Sequence, residues 1–221
     1  NPKIDAEQNI IGLLNLLNHC KDFKVKKFIF ASSGGAIYSE DQDMPIPETG
    51  IIEPISPYGI SKFSGELYIK FFSRLHNINY TNLRYSNVYG PRQSPKGEAG
   101  VVSIFINKIL KNQSPVIFGD GNQTRDYIYV KNVAKANVFC LDKANNLDLN
   151  VGTGVQTSVN ELFNELKIIS NFKGSANNSE AVKGELLKNA LDINKIEKLG
   201  FKIQTKLKDG LKNTFEWFSK K

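Results

Sequence analysis

Pro57-Tyr58-Gly59-Ile60-Ser61-Lys62 is the stretch on which the reading of this chain turns. A Tyr and a Lys four positions apart on a helix project from the same face. A neighbouring ammonium favours the phenolate and draws the Tyr pKa down from its usual value of about 10. The pair is a candidate acid/base for a sugar or alcohol hydroxyl near neutral pH. Taken alone, the same spacing more often decorates a solvated helix face.

The neighbouring segments narrow the choice. Upstream, Lys26-Lys27-Phe28-Ile29-Phe30-Ala31 reads as a short buried strand, being β-branched and aromatic. It runs into Ser32-Ser33-Gly34-Gly35-Ala36-Ile37-Tyr38. Hydroxyls at the carboxyl end of a strand lie where open α/β sheets place their ligands, although a plain Ser/Gly turn would look the same. Downstream, Asn82-Leu83-Arg84-Tyr85-Ser86-Asn87-Val88-Tyr89-Gly90-Pro91-Arg92 is again a strand entering a polar loop. Phe118-Gly119-Asp120-Gly121-Asn122-Gln123-Thr124-Arg125-Asp126-Tyr127-Ile128-Tyr129-Val130 is a glycine turn, an Arg-Asp pair and an aromatic strand.

Outward from these segments, periodicity predicts a helix from Ile4 to Asn18 and strands at Phe28 to Ala31 and Tyr80 to Tyr85. It also predicts the long helix Tyr58 to His76, a helix over Val101 to Leu110, and short strands at Val116 to Phe118 and Tyr127 to Val130. A helix over Val133 to Leu141 and a strand over Asp148 to Val151 follow. Ser158-Val159-Asn160-Glu161 is a capping box. Asn171 to Val182 reads as a mobile loop, Asp192 as the cap of a short helix stopped by Gly200, and Leu207 to Phe218 as the last helix. Strands alternating with helices indicate α/β.

The ordered set SSGGAIY, PYGISK, LRYSNVYGPRQ, GDGNQTRDYIYV and LKDGLKNTFEWF resembles the extended short-chain dehydrogenase/reductase family. Within it, the likeness is to the NAD-dependent epimerase/dehydratase group, nearest its UDP-glucose 4-epimerases, and it covers essentially the whole chain. The resemblance implies the C-terminal part of a Rossmann-like doubly wound parallel sheet plus a smaller mixed α/β substrate domain. Residues 1–86 would be the C-terminal half of the NAD-binding domain. Residues 87–221 would be mainly the nucleotide-sugar domain, with segments returning to the sheet. Family members open with a G-x-x-G-x-x-G turn that holds the dinucleotide pyrophosphate at a helix N-terminus. No such cluster occurs in these 221 residues, so the chain is expected to be a fragment of a longer protein, inactive alone.

The resemblance also assigns roles. Tyr58 matches the acid/base, Lys62 the residue that holds the nicotinamide ribose, and Ser33 the hydroxyl that assists at the sugar O4. Ser33 matches when counted forward from Phe30; counted backward from Tyr38 the match shifts by one, and Ser32 is the other candidate at the cofactor side. Asn9 and Tyr85 lie where family members contact NAD. Asn87 resembles the Asn that grips the substrate diphosphate, and Arg125 the Arg that clamps it, a guanidinium fork suiting phosphate geometry. Alone, Asn87 reads as an Asx-turn and Arg125-Asp126 as a local ion pair. Phe118 matches the uracil pocket, and Glu185 could bind the uridine ribose. Where the family has Arg-Pro-Gly-Asp/Glu, this chain has Val182-Lys183-Gly184-Glu185, so the Arg task is lost or passes to Lys183. Asn189 aligns with the gatekeeper that is a large Tyr in glucose-specific epimerases, which leaves room for an N-acetyl group.

The activity so implied is C4 epimerisation of a UDP-hexose through a transient 4-keto sugar, with NAD retained throughout. The alternatives are a nucleotide-sugar dehydratase or decarboxylase, and a non-catalytic truncated member. Dehydration calls for an acid after the active-site hydroxyl, where this chain has Gly34-Gly35. The resemblance further implies a homodimer through the helices beginning at Ile4 and Tyr58, with Phe71 and Phe72 supplying surplus apolar surface.

Composition is that of a soluble globular protein, 40% hydrophobic and 23% charged. The net charge of +7 comes from lysines scattered among asparagines. Without a basic stripe or an RNA motif it argues against nucleic acid, though it would assist capture of a doubly anionic nucleotide sugar. Cys20 and Cys140 form neither a disulfide framework nor a metal-ligand spacing, and His19 and His76 read as helix-end residues. No apolar run approaches the ~20 residues needed to span a bilayer, and no signal peptide is seen. The expectation is a cytoplasmic protein that touches no membrane.

Overall fold

The structure, a computed structural model, describes residues 1–221 apart from 96–99, 183, 185 and 221. Its frame is a parallel sheet of β1 (Lys27–Ser33), β2 (Asn79–Tyr85) and β7 (Leu147–Val151), in the order β1-β2-β7. The register aligns Ser33 with Tyr85 and Tyr85 with Val151. Three strands therefore end on one line, which brings the loops after them together at the carboxyl edge.

Side chains alternate between the two faces of this sheet. Phe28, Phe30 and Tyr80 pack with Leu13, Leu17, Ile69 and Phe72. These last four belong to α2 (Gly12–Asp22) and to α4 (Pro57–His76). On the opposite face, Ile29, Leu83, Leu149 and Val151 meet Val133, Ala136 and Cys140 of α6 (Val130–Lys143) and Ile196 of α8 (Asn194–Lys198). Helices on both faces of a parallel sheet make a doubly wound α/β layer.

A second core joins α5 (Val101–Leu110), α7 (Val159–Ser170) and α9 (Leu207–Ser219) around Phe105, Ile106, Leu162, Phe163 and Leu211. Small strand pairs flank it. Parallel β3 (Asn87–Tyr89) and β6 (Tyr127–Tyr129) form one, and antiparallel β5 (Thr124–Arg125) and β8 (Thr157–Ser158) another. The capping box at Ser158 is formed in both directions with Glu161.

Several elements differ from the sequence reading. The first helix is longer and irregular: α1 (Pro2–Ala6), a π-helical stretch Glu7–Ile11 and then α2 run on without a break. Its exposed polar positions hid this from the apolar period. Ser33-Gly34-Gly35 is no open turn, because Gly34–Ile37 forms one turn of helix, α3. The segment read as a mobile loop contains β9 (Asn177–Ser179), paired in parallel with β4 (Val116–Phe118). That ladder is backbone to backbone, so the polar side chains gave no sign of it. Asp192 does not cap α8; its Oδ1 accepts from Asn194 N at 2.7 Å in a local turn. Phe72 belongs to the core and not to the outer surface, while Phe71 is 49% exposed.

Candidate active site

The first turn of α4 carries Tyr58. Ser56 caps it, its side chain accepting from Gly59 N at 3.1 Å, with Pro57 in the first turn, where a missing N–H costs nothing. Gly59 lets this turn press against α3: a Cβ there would lie 2.2 Å from the Ala36 carbonyl oxygen. Lys62, one turn on, donates from Nζ to the Ala31 carbonyl at 3.0 Å. Its ammonium lies 5.1 Å from the centroid of the Phe30 ring and 5.5 Å from that of Tyr58. Burial lowers the Lys62 pKa, and the Asp5 carboxylate works in the opposite direction. A positive charge and the N-terminal turn of α4 thus stand beside the Tyr58 ring.

Tyr58, Ser33, Tyr85, Ser86 and Asn87 line one cavity of about 380 Å³ at the carboxyl edge of the sheet. A second cavity of about 480 Å³ adjoins it through Asn87, Gly100, Val101 and Tyr127, and is lined further on by Phe118, Arg125, Lys108 and Gln123. The hydroxyl-bearing cavity and the Arg/aromatic cavity are thus neighbours, with Asn87 in the wall of both. Asn87 Oδ1 is buried there without a hydrogen-bond partner, a state that costs free energy unless a donor arrives. A Cβ on Gly35 would make only ordinary contact, 3.6 Å from Asn87 Oδ1 and 3.9 Å from Ser33 Oγ, which places this residue between the two groups.

Other expected residues are placed differently. The Ser32 hydroxyl turns away to donate to Glu66 Oε1 at 2.5 Å, so any cofactor contact from Ser32 would use its backbone. The Tyr85 hydroxyl is paired with the Asn137 side chain at 3.0 Å, leaving its ring to face the cavity. Asn9 lies half-buried in the π-helical stretch, which packs on α4. Asn189 is 2% exposed and stands behind Gly34, its Nδ2 donating to the Gly34 carbonyl at 3.4 Å. Arg125 donates from Nη1 to Thr124 O at 2.9 Å. Its neighbour Asp126 is buried and accepts from Thr153, Gly154 and Leu191. Burial pushes the Asp126 carboxyl pKa upward, and those donors oppose it. Glu185 and Lys183 lie outside the described residues.

Sequence reasoning missed the polar layer beneath this groove. Arg84 and Glu66, 2% and 0% exposed, are joined at 2.7 Å between Nη2 and Oε2. Burial works against the Arg84 charge, but hydrogen bonding and proximity to Glu66 outweigh it and hold the guanidinium pKa above its ordinary value. Arg84 Nη1 donates to the Tyr38 hydroxyl at 2.7 Å. Burial pushes the Tyr38 pKa up to about 12 although Arg84 draws it down. A signal existed in the spacing, for Glu66 falls another four residues beyond Lys62. Among the described residues no group of His, Cys, Asp or Glu is gathered as for a metal ion, and no helix is long and apolar enough to cross a membrane.

Residues 1–152 match the family described as the NAD dependent epimerase/dehydratase family. The chain belongs to that family. It is 52% identical to a Methanocaldococcus jannaschii protein provisionally named UDP-glucose 4-epimerase, over 98% of this chain and 71% of that protein. The crystal structure of UDP-glucose 4-epimerase from Thermotoga maritima, with UDP-glucose, is 48% identical with a TM-score of 0.98, covering 100% of this chain and 72% of that one. A UDP-N-acetylglucosamine 4-epimerase from Methanobrevibacter ruminantium, in complex with UDP-N-acetylmuramic acid, is 38% identical with a TM-score of 0.92. That match covers 96% of this chain and 69% of the other. The family is NAD-dependent, and the residues here fit its nicotinamide end. Lys62 offers a desolvated ammonium beside Tyr58, at the sheet edge where the cavity opens.

Proposed function

We propose that this family member epimerises a UDP-hexose at C4, in the complete protein. The observation that carries the reading is the adjacency of two cavities, one lined by Ser33, Tyr58 and Asn87 and the next by Asn87, Phe118 and Arg125. A nucleotide sugar has the same polarity: a hydroxyl-rich ring, a diphosphate and a flat base. Lys62 and Tyr58 would hold the nicotinamide end of NAD at the sheet edge, where the cofactor would supply reversible hydride transfer at C4. Tyr58 takes the proton of O4 and gives it back, and the Ser33 hydroxyl hydrogen-bonds the same oxygen. Lys62 holds the nicotinamide ribose and keeps positive charge beside Tyr58. Asn87 and Arg125 hold the diphosphate, with Phe118 against the base. Gly34 and Gly35 follow Ser33 without a carboxylate, which favours epimerisation over dehydration.

The G-x-x-G-x-x-G pyrophosphate cradle is not in this sequence, so residues 1–221 by themselves are proposed neither to hold NAD stably nor to turn over. The substrate range is proposed to include N-acetylated hexoses, because Asn189 aligns with the position that is a large Tyr in glucose-specific epimerases. The protein is proposed to be a homodimer through α2 and α4, whose Leu16, Leu67, Phe71 and Leu75 are exposed. Sedimentation of the full gene product at tens of micromolar checks this, a monomer being the contrary result. The test of activity is interconversion of UDP-glucose and UDP-galactose by the full gene product, with Tyr58→Phe as control. Turnover should fall by about 10²–10⁴-fold in that variant, and an unchanged rate would reject the reading.

A further inference from the structure

One face of α4 is stitched to the sheet by polar groups where packing would ordinarily be apolar. Positions 58, 62, 66 and 70 succeed one another at four-residue steps along it. Lys62 reaches the Ala31 carbonyl of β1. Glu66 accepts from Ser32 at 2.5 Å and from Arg84 of β2. Lys70 pairs with Asp148 of β7 at 2.6 Å. Each strand of the sheet is thus tied to the helix that carries Tyr58.

The Glu66–Arg84 pair also holds both ends of α3. Ser32, tied to Glu66 Oε1, lies just before Ser33, the N-cap of α3. Tyr38, tied to Arg84 Nη1, lies just after Ile37, and its hydroxyl donates onward to Asn150 Oδ1 at 2.9 Å. A buried ion pair adds little net stability compared with apolar residues of the same volume. What it supplies is direction, because hydrogen bonds restrict distance and angle where apolar contacts allow sliding.

We propose that Glu66, held by Arg84, is a positioning residue: through Ser32 it sets the separation of the Ser33 hydroxyl from the Tyr58 phenol. The two reacting groups come from different elements, Ser33 from the end of β1 and Tyr58 from the start of α4. The Ser32–Glu66 bond is a side-chain link between those same two elements, made one residue from Ser33 and two turns along the helix from Tyr58. Displacement of about 1 Å between such groups can cost of the order of 10²-fold in rate. This inference rests on the C4-epimerase reading.

The test uses the full gene product and UDP-galactose turnover. Ser32→Ala deletes the donor to Glu66 and leaves the Glu66–Arg84 pair intact. Expected are a fall in kcat of about tenfold or more with KM within about twofold. In a Ser33→Ala background the same substitution should change kcat by less than about twofold, since the group it places is gone. Tyr38→Phe, which releases the far end of α3, should show the same pattern and serves if Ser32→Ala does not fold. If Ser32→Ala and Tyr38→Phe keep wild-type kcat, or retain their full factor without the Ser33 hydroxyl, positioning is overturned. A wild-type protein that does not turn over UDP-galactose overturns the functional reading and this inference together. An active wild type with additive Ser32 and Ser33 effects overturns the inference alone.

Discussion

The Lys62 ammonium lies 5.5 Å from the centroid of the Tyr58 ring while its Nζ is held by the Ala31 carbonyl. The cation is thus kept beside the phenol by the backbone of the neighbouring strand, at the edge where the groove opens. Burial lowers its pKa, with Asp5 opposing, so the fold bears a penalty for keeping charge there.

That penalty has a pH signature. The unfolded chain, with a Lys pKa near about 10.4, binds the proton more tightly than the folded one. The penalty is therefore full below the folded pKa and is relieved as pH rises from that value to the unfolded one. Lys62→Met should raise the thermal midpoint at pH 7, and the gain should shrink as pH climbs through this window. Turnover at pH 7 should drop by about 10²-fold or more. Melting curves across pH, with rates alongside, check both; a gain that grows with pH would contradict the sign.

Glu66→Ala leaves the Arg84 guanidinium buried with its principal counter-charge removed. Breaking a buried pair from one side costs about 3–5 kcal/mol, and that loss is expected in the denaturant midpoint. Glu66→Gln keeps an acceptor for the Ser32 and Arg84 donors and should lose less. Equal losses for the two would mean that volume, and not the hydrogen bonds, is what matters there.

Arg125→Lys should raise KM for the nucleotide sugar by roughly tenfold with little change in kcat. A point charge replaces a planar fork, and binding common to ground and transition states is what is lost. Steady-state kinetics decide; a fall in kcat at constant KM would move Arg125 from binding to chemistry.

Asn189→Tyr should suppress turnover of UDP-N-acetylglucosamine and largely spare UDP-glucose. A clash in a closed site excludes the bulkier ligand, whereas extra room removes few contacts from the smaller one. Because Asn189 packs against the Gly34 backbone next to Ser33, the added ring acts on the wall that carries the hydroxyl. Rates for both sugars, with melting temperature to monitor folding, give the answer. An unchanged ratio would remove Asn189 from specificity.

The parts of the site legible in the sequence are those written in short-range chemistry. Tyr58 and Lys62 share a helix face because 3.6 residues make a turn. Ser158 and Glu161 form their capping box because both partners lie within four residues. Ser33 stands at a strand end because an apolar run stops there. The β4–β9 ladder was not legible, since its bonds are made by backbone groups of segments about sixty residues apart, and Asn177–Ser179 carries no apolar alternation.

The sequence by itself determined the α/β layering, the shared helix face of Tyr58 and Lys62 and the hydroxyls at the strand end, all set by local periodicity and hydrogen bonding. Only the tertiary structure decided which hydroxyl faces the groove. Ser32 and Ser33 are chemically alike and adjacent, but successive residues of a strand point to opposite faces. The face that meets α4 holds Glu66, thirty-four residues away. A buried carboxylate must find donors, so the Ser32 hydroxyl turns inward to it beside Arg84; both serines line the cavity with Tyr58, but Ser33 without that tie.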